Sequence, residues 1–319
     1  MGWILIITTS ILSIIAFVFL FFRRHPIIIA TETEWAIGIF QGDSCFNLTP
    51  AIGIRNPVIT RSDVTDVKAE FVSDPFLVQA DNKWYLFFEV MNSLAQKGEI
   101  GCAASQDSLH WEYNKIVLKE PFHLSYPYVF QYEGRFYIIP ESAKASAIRL
   151  YVAERFPFSW NFVTNLLLGT YVDTSVFYTN ETWWMMTCSK PHTHDELRLF
   201  YADRLTGPWT EHPNSPLVIK DPTNARPAGR ILLENGKIIR FAQDDRLTYG
   251  KNVLAFLITE ITRTTYAEQA YDHNPILDAQ RKGWNRHGMH HIDPHKVSQC
   301  DWIAAVDGYR KQKVLRIEY

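Results

Sequence analysis

The chain has 319 residues, of which 47% are hydrophobic and 14% aromatic, with a formal net charge of −2. Ten Trp, fifteen Tyr and twenty Phe can fill a large core, and such an aromatic excess suits strands that pack face to face. A near-neutral chain with no basic cluster on a predicted helix or strand argues against nucleic acid as a partner. No P-loop, dinucleotide fingerprint or zinc-ligand spacing occurs, so no cofactor or metal is expected. Cys45, Cys102, Cys188 and Cys300 are scattered one per region and read as free buried thiols.

Residues 3–22 are apolar, relieved only by Ser and Thr, and Arg23-Arg24-His25 follow at once. Twenty such residues reach across a bilayer core of about 30 Å, and the uncharged start and long apolar stretch read as a retained anchor instead of a cleaved leader. The expected organisation is a transmembrane anchor over 1–25, a linker over 26–33 and a folded domain over 34–319, giving a single-pass membrane protein. Its orientation is open. The arginines favour a cytosolic domain, whereas Asn47-Leu48-Thr49 and Asn180-Glu181-Thr182 are N-glycosylation acceptor tripeptides and tilt the reading to the lumenal or extracellular side.

Three later stretches superpose without a gap: Ser73-Asp74-Pro75-Phe76 to Glu89, Ser125-Tyr126-Pro127-Tyr128 to Glu141, and Val172-Asp173-Thr174-Ser175 to Cys188. Behind them Trp111, Trp160 and Trp209 recur at an interval of 49 residues, each with an Ala seven positions earlier. Each copy is an apolar run, a polar turn and an aromatic run, the pattern of a hairpin. A looser copy starts at Ala225-Arg226-Pro227, and a fifth runs from His290-His291 to Asp307-Gly308. A period near fifty filled with short strands predicts an all-β, five-bladed β-propeller. The segment Glu34–Phe40 is expected to close the ring with the last blade.

The start of each innermost strand faces a central funnel, which places Asp74, Tyr126, Asp173, Arg226 and His290 or His291 opposite one another. Buried charges there need partners, whether they form a plug or a pocket. Glu141, near Tyr126 and His123, is a candidate general acid, since burial raises a carboxyl pKa. Glu89 aligns with it. His287, His290, His291 and His295 have no accompanying spacing that makes a metal cage.

Ser73-Asp74-Pro75-Phe76, Glu99-Ile100-Gly101, His123-Leu124-Ser125-Tyr126-Pro127, Ile139-Pro140-Glu141-Ser142, Ala225–Arg230 and His290-His291-Ile292-Asp293 together resemble the N-terminal β-propeller domain of glucosamine inositolphosphorylceramide transferases, from about Trp35 to Gly308. In those proteins the domain precedes a glycosyltransferase domain. Here the chain ends eleven residues after Gly308, so no second domain is expected and transferase activity is not carried over. More distantly the chain is similar to the five-bladed furanosidases. That resemblance implies an Asp at the first and third inner strands, matched by Asp74 and Asp173, and a Glu acid at the fourth, where Arg226 stands instead. Arginine cannot donate the proton.

Three readings follow. In a glycoside hydrolase, Glu141 is the acid, Asp74 the base or nucleophile, and Asp173 orients the sugar or tunes the acid. In a glycan- or headgroup-binding module, Arg226, Arg230 and His291 grip a phosphate or carboxylate while Tyr126 and Trp residues stack on the sugar, with His123 and His290 as further substrate-binding candidates. In a scaffold, the rim binds a partner glycosyltransferase.

Overall fold

The structure, a computed structural model, describes residues 14–25, 27–299 and 301–317. Trp35–Arg310 forms one compact unit, and the described residues before and after it belong to a second. In that second unit residues 14–24 are helical. At about 1.5 Å per residue they cover roughly half of a bilayer core. Among the described residues no helix is long and apolar enough to cross a membrane. Of the expected span over 3–22, residues 3–13 lie outside the described residues. Residues 27–33, expected as a linker, are extended and open a strand that runs Ile27–Ser44.

The larger unit is a ring of five antiparallel sheets, the predicted five-bladed β-propeller. Blade I is built from Ala69–Ala80, Lys83–Asn92, Lys97–Ser105 and Glu112–Leu118. Blade II is built from Ser125–Tyr132, Arg135–Glu141, Ala147–Arg155 and Ser159–Leu168. Blade III holds Val172–Thr179, Thr182–Cys188, Glu196–Ala202 and Thr210–Glu211, with Val218–Ile219 beside the third strand. Blade IV holds Leu232–Glu234, Lys237–Asp244, Asn252–Ile261 and Tyr266–Ala270, with Leu277–Asp278 beside its third strand. Blade V joins Ile292–Lys296 and Trp302–Ile317 to Ile27–Ser44 and Asn47–Pro50, so the closure predicted around Trp35 is the one observed.

The repeated Trp has a local cause. The indole Nε1 donates to a carbonyl three or four residues earlier in each case: Trp111 to Ser108, Trp160 to Pro157 and Trp209 to Leu205. A polar edge is thereby satisfied while the ring packs as an apolar body, which is what a half-buried Trp requires. Trp160 sits edge-on to Phe87 of blade I at 5.7 Å, and Tyr132 of blade II packs edge-on to Trp183 of blade III at 4.8 Å. The inter-blade layers are built from such aromatic contacts. Cys45, Cys102 and Cys188 are buried free thiols, and Cys300 lies outside the described residues.

The beginning of each inner strand in blades I to III breaks register with its neighbour, between Ser73 and Phe76, Ser125 and Tyr128, and Val172 and Ser175. Asp74, Tyr126 and Asp173 carry positive φ there, at 54°, 42° and 52°. Bulges re-aim side chains, and non-glycine residues in this region are held only where surrounding contacts over-determine them. Blade IV departs from the pattern. Pro227 and Gly229 leave its inner strand short, and Gly229 bridges in parallel to Ile292 of blade V. A Cβ on Gly229 would lie 1.8 Å from the Ile292 carbonyl oxygen, and its φ is +140°.

Candidate functional site

Two concentric rings of side chains stand at the end of the propeller where the inner strands begin. The inner ring comprises the aligned positions Asp74, Tyr126, Asp173, Arg226 and His290. The second comes from the residue of each neighbouring strand that lies across from the start of the inner strand. Glu89 pairs with Ser73, Glu141 with Ser125 and Cys188 with Val172, while the Gln243 N–H donates to the Arg226 carbonyl. Asp307 occupies the matching place in blade V.

Arg226 and Asp173 form the central ion pair, with Nε 2.5 Å from Oδ2. Gln243 Nε2 donates to the same oxygen at 2.7 Å, Arg226 Nη1 donates to His194 Nδ1 at 2.8 Å, and Arg226 Nη2 stands 3.8 Å from Glu141 Oε2. Burial works against ionisation of Asp173, but the Arg226 guanidinium reverses this and holds the carboxyl below the usual range. Burial, reinforced by the negative Asp173, pushes Glu141 well above the carboxylate range against the opposing pull of Arg226. Burial and the neighbouring negative charge thus favour the neutral form of Glu141, while Arg226 favours the ionised form of Asp173. Burial and Arg226 push His194 down to about 4, so it is neutral and accepts from the guanidinium.

A second pair lies beside the first. His290 Nδ1 is 2.8 Å from Asp307 Oδ1, and its Nε2 is 3.7 Å from Asp74 Oδ1. Burial disfavours the imidazolium, yet Asp307 and Asp74 outweigh it and raise His290 to about 9. Asp307 also accepts the Asp74 N–H at 3.0 Å, and His290 holds it below its ordinary value although burial acts the other way. Asp74 is lifted by burial to about 7, with Asp173 and Asp307 adding to the effect and His290 opposing it. Asp74, His290 and Asp307 each offer a ligand atom within 4.8 Å of the others, the one such group among the described residues. Both nitrogens of His290 already face carboxylates, so a cation there would compete with the imidazolium proton.

The predicted site residues do not all meet. Asp74, Glu141, Asp173, Arg226 and His290 converge. Tyr126 is fully buried and turns along the axis, its hydroxyl accepting from the Gly229 N–H at 2.8 Å and donating to the Gly229 carbonyl at 2.9 Å. His291 is also fully buried, edge-on to Phe76 and Tyr126 and 4.0 Å from Asp74 Oδ1. Neither of its ring nitrogens has a hydrogen-bond partner, and burial pushes it down to about 4, so it is neutral. Arg230 lies further down the axis. It pairs with Asp293 at 2.8 Å and donates to the Val129 carbonyl at 2.9 Å, tying blades II and V together. His123 is at the rim between blades I and II. Its Nδ1 accepts from the Gly98 N–H at 2.8 Å, which leaves the Nε2 proton facing Glu89 Oε1 at 3.4 Å. Burial lifts Glu89 to about 8, with Asp74 adding to it and Ser73 opposing.

Several neighbours escaped the sequence reading. Trp35 stacks on His290 at 4.1 Å, and Tyr249 stands edge-on to His290 at 5.2 Å with the Arg226 guanidinium 5.2 Å from its ring centre. Asp307 had a usable signal, because it follows Trp302 by the interval that separates Glu89 from Trp84 and Glu141 from Phe136. Gln243 ends the looser fourth copy of the repeat, whereas His194 and Tyr249 come from loops with no repeated motif.

Comparison with known proteins places this geometry. Residues 29–309 match the family model of glucosamine inositolphosphorylceramide transferase 1, N-terminal. Glucosamine inositolphosphorylceramide transferase 1 of Oryza sativa subsp. japonica is 34% identical over 302 residues, covering 88% of this chain and 40% of the relative. The protein of that name from Arabidopsis thaliana is 34% identical over 304 residues, covering 88% and 39%. The chain thus spans about two fifths of the length of the curated relatives it matches. Among solved structures, a family 117 glycoside hydrolase of Zobellia galactanivorans superposes with a TM-score of 0.52 at 10% identity, covering 75% of this chain and 84% of that one. The α-L-arabinanase of Cellvibrio cellulosa superposes with a TM-score of 0.52 at 18% identity, covering 76% and 90%. At such identities the likeness concerns the fold. The sequence match is closer and runs through every blade: this chain belongs to the family defined by the N-terminal domain of glucosamine inositolphosphorylceramide transferase 1.

Proposed function

We propose that the propeller is a carbohydrate-active, glycoside hydrolase-like protein acting on a glycan or glycolipid headgroup at the funnel. The observation that carries this reading is the convergence of three carboxyls in different surroundings: burial raises Glu141 well above the carboxylate range, Arg226 holds Asp173 below it, and burial lifts Asp74 to about 7. Environments that push neighbouring carboxyls apart are how an acid and a base are assigned at one pH. Glu141 gives its proton to the leaving glycosidic oxygen as the bond to the anomeric carbon breaks. Asp74, ionised, takes a proton from the attacking water or attacks the carbon itself. Asp173, held in place by Arg226 and Gln243, orients the sugar and tunes Glu141, which regains its proton from water after the leaving group departs. The apolar stretch 3–22 serves as a membrane anchor in this reading.

One observation favours a second reading. Asp173 Oδ2 is held by both Arg226 and Gln243, and Arg226 stands where a proton donor would be useful, which suits a module that grips an anionic headgroup or supports a partner glycosyltransferase. A glycan-binding and hydrolysis screen of the full chain beside its Glu141→Gln variant separates the two. Product released by the parent and none by the variant supports the hydrolase. Equal binding without turnover in both proteins replaces it with the binding or scaffolding role.

A further inference from the structure

The two acceptor tripeptides in the sequence acquire a common address in the fold. Asn180 is exposed in the turn that follows the inner strand Val172–Thr179, with φ at 49°. Asp173, at the other end of that strand, lies in the funnel. At about 3.3 Å per residue the strand carries Asn180 roughly 23 Å from the site. Asn47 is exposed after the turn that ends Ile27–Ser44, and Ser44 pairs with it across the hairpin. Upstream in that strand Trp35 stacks on His290, so Asn47 is removed from the funnel by roughly 30 Å of extended chain on the same measure. Both asparagines therefore sit on the face of the ring opposite the funnel.

We infer that Asn47 and Asn180 are both N-glycosylated and that the propeller lies on the lumenal or extracellular side of its membrane. In the transfer, the side-chain Nδ2 forms a bond to the anomeric carbon of an oligosaccharide carried on a polyprenyl diphosphate. The bond from that carbon to the diphosphate breaks, and the amide proton leaves with it. Thr49 is exposed beside Asn47, with its hydroxyl directed to the Gln41 carbonyl at 3.5 Å and the Asn47 amide donating to Asp43 Oδ1 at 3.0 Å, both exposed contacts. Thr182 is buried, with its hydroxyl directed to the Asn180 carbonyl, which sets modification of Asn180 before the hairpin closes. Glycans on this face leave the funnel open and stand clear of the blade interfaces. The inference is independent of the chemistry assigned to the funnel.

The full chain is expressed in a eukaryotic host, and membrane vesicles are treated with a peptide-N-glycosidase, with protease protection of the propeller measured in parallel. The expected result is a protease-protected propeller that loses two mobility steps on deglycosylation. One step is missing in Asn47→Gln, one in Asn180→Gln, and both in the double variant, with glycan binding or turnover unchanged. Thr49→Ala and Thr182→Ala keep the asparagines and must give the same losses, which covers an asparagine variant that fails to fold. A parent with no shift, or a propeller digested in sealed vesicles, overturns the inference. A shift that survives the double variant overturns the assignment of the two sites.

Discussion

Replacing Arg226 by alanine removes the partner of a carboxylate that is 1% exposed. Asp173 would retain Gln243 Nε2 as its side-chain donor, and His194 and Glu141 would also lose their guanidinium contacts. Breaking a buried ion pair from one side costs about 3–5 kcal/mol, because a charge is left desolvated and unpaired. The pH dependence should change sign as well. In the parent the Asp173 pKa is depressed, so its contribution is present above the unfolded value and is lost as pH falls through the folded one. Without Arg226, burial raises that pKa instead, and the folded state gains stability as acid supplies a proton to Asp173. Urea unfolding at pH 7.5 and pH 5 measures both effects in Arg226→Ala and in the double variant Arg226→Met with Asp173→Asn. The single variant should lose about 3–5 kcal/mol at the higher pH and recover part of it at the lower, and the double variant should be the more stable of the two. A loss under about 1 kcal/mol, or a double variant no better than the single, would refute the description of Arg226 and Asp173 as a buried, mutually dependent pair.

Other outcomes follow from the same packing. Trp160→Ala should cost roughly 3–5 kcal/mol in thermal or denaturant unfolding, since the indole is buried and bonded to Pro157; a loss under about 1 kcal/mol would count against its place in the repeat. Gly229→Ala should destabilise by roughly 3 kcal/mol or more, combining an unfavourable φ with a clash against Ile292, and a neutral effect in the same assay would contradict the tight crossing of blades IV and V. His290 is raised to about 9, so its stabilisation is complete below its unfolded pKa near 6.5 and fades as pH climbs through 9. His290→Gln should flatten that decline, and an unchanged slope would disprove the imidazolium pair with Asp307. Turnover, where found, should rise through about pH 7 as Asp74 ionises, and an acid limb well below that would exclude Asp74 as the base.

The blades were legible because their aromatic corners obey a local rule. A Trp whose Nε1 must reach a nearby carbonyl fixes its own spacing, and that spacing survives in the sequence as a period. The irregular fourth blade was readable only as a looser copy, since its inner strand is shaped by Gly229 meeting Ile292, a contact between residues far apart in the chain. At the site, alignment brought Asp74, Asp173 and Glu141 together but gave no direction to the side chains. Tyr126 and Arg230 carry suitable chemistry, yet the first bonds along the axis to Gly229 and the second pairs with Asp293. His194 and Tyr249 were hidden because loops carry no periodicity, and only three-dimensional closure sets them over Arg226.

The shared fifth blade has a consequence for how the protein is made. Its strands come from far apart in the sequence, since Ile27–Ser44 precedes blades I to IV and Trp302–Ile317 follows them. Blades I to IV are each complete as soon as their own residues have left the ribosome. The last sheet has to wait until Trp302–Ile317 has been made, with Trp35 and its strand kept without their partner until then. Such a long-range pairing is slow to find and exposes an edge strand in the meantime. The ring is consequently sealed in one late event, and a circular permutant opened at the turn after Thr179 would move that waiting period from blade V to blade III.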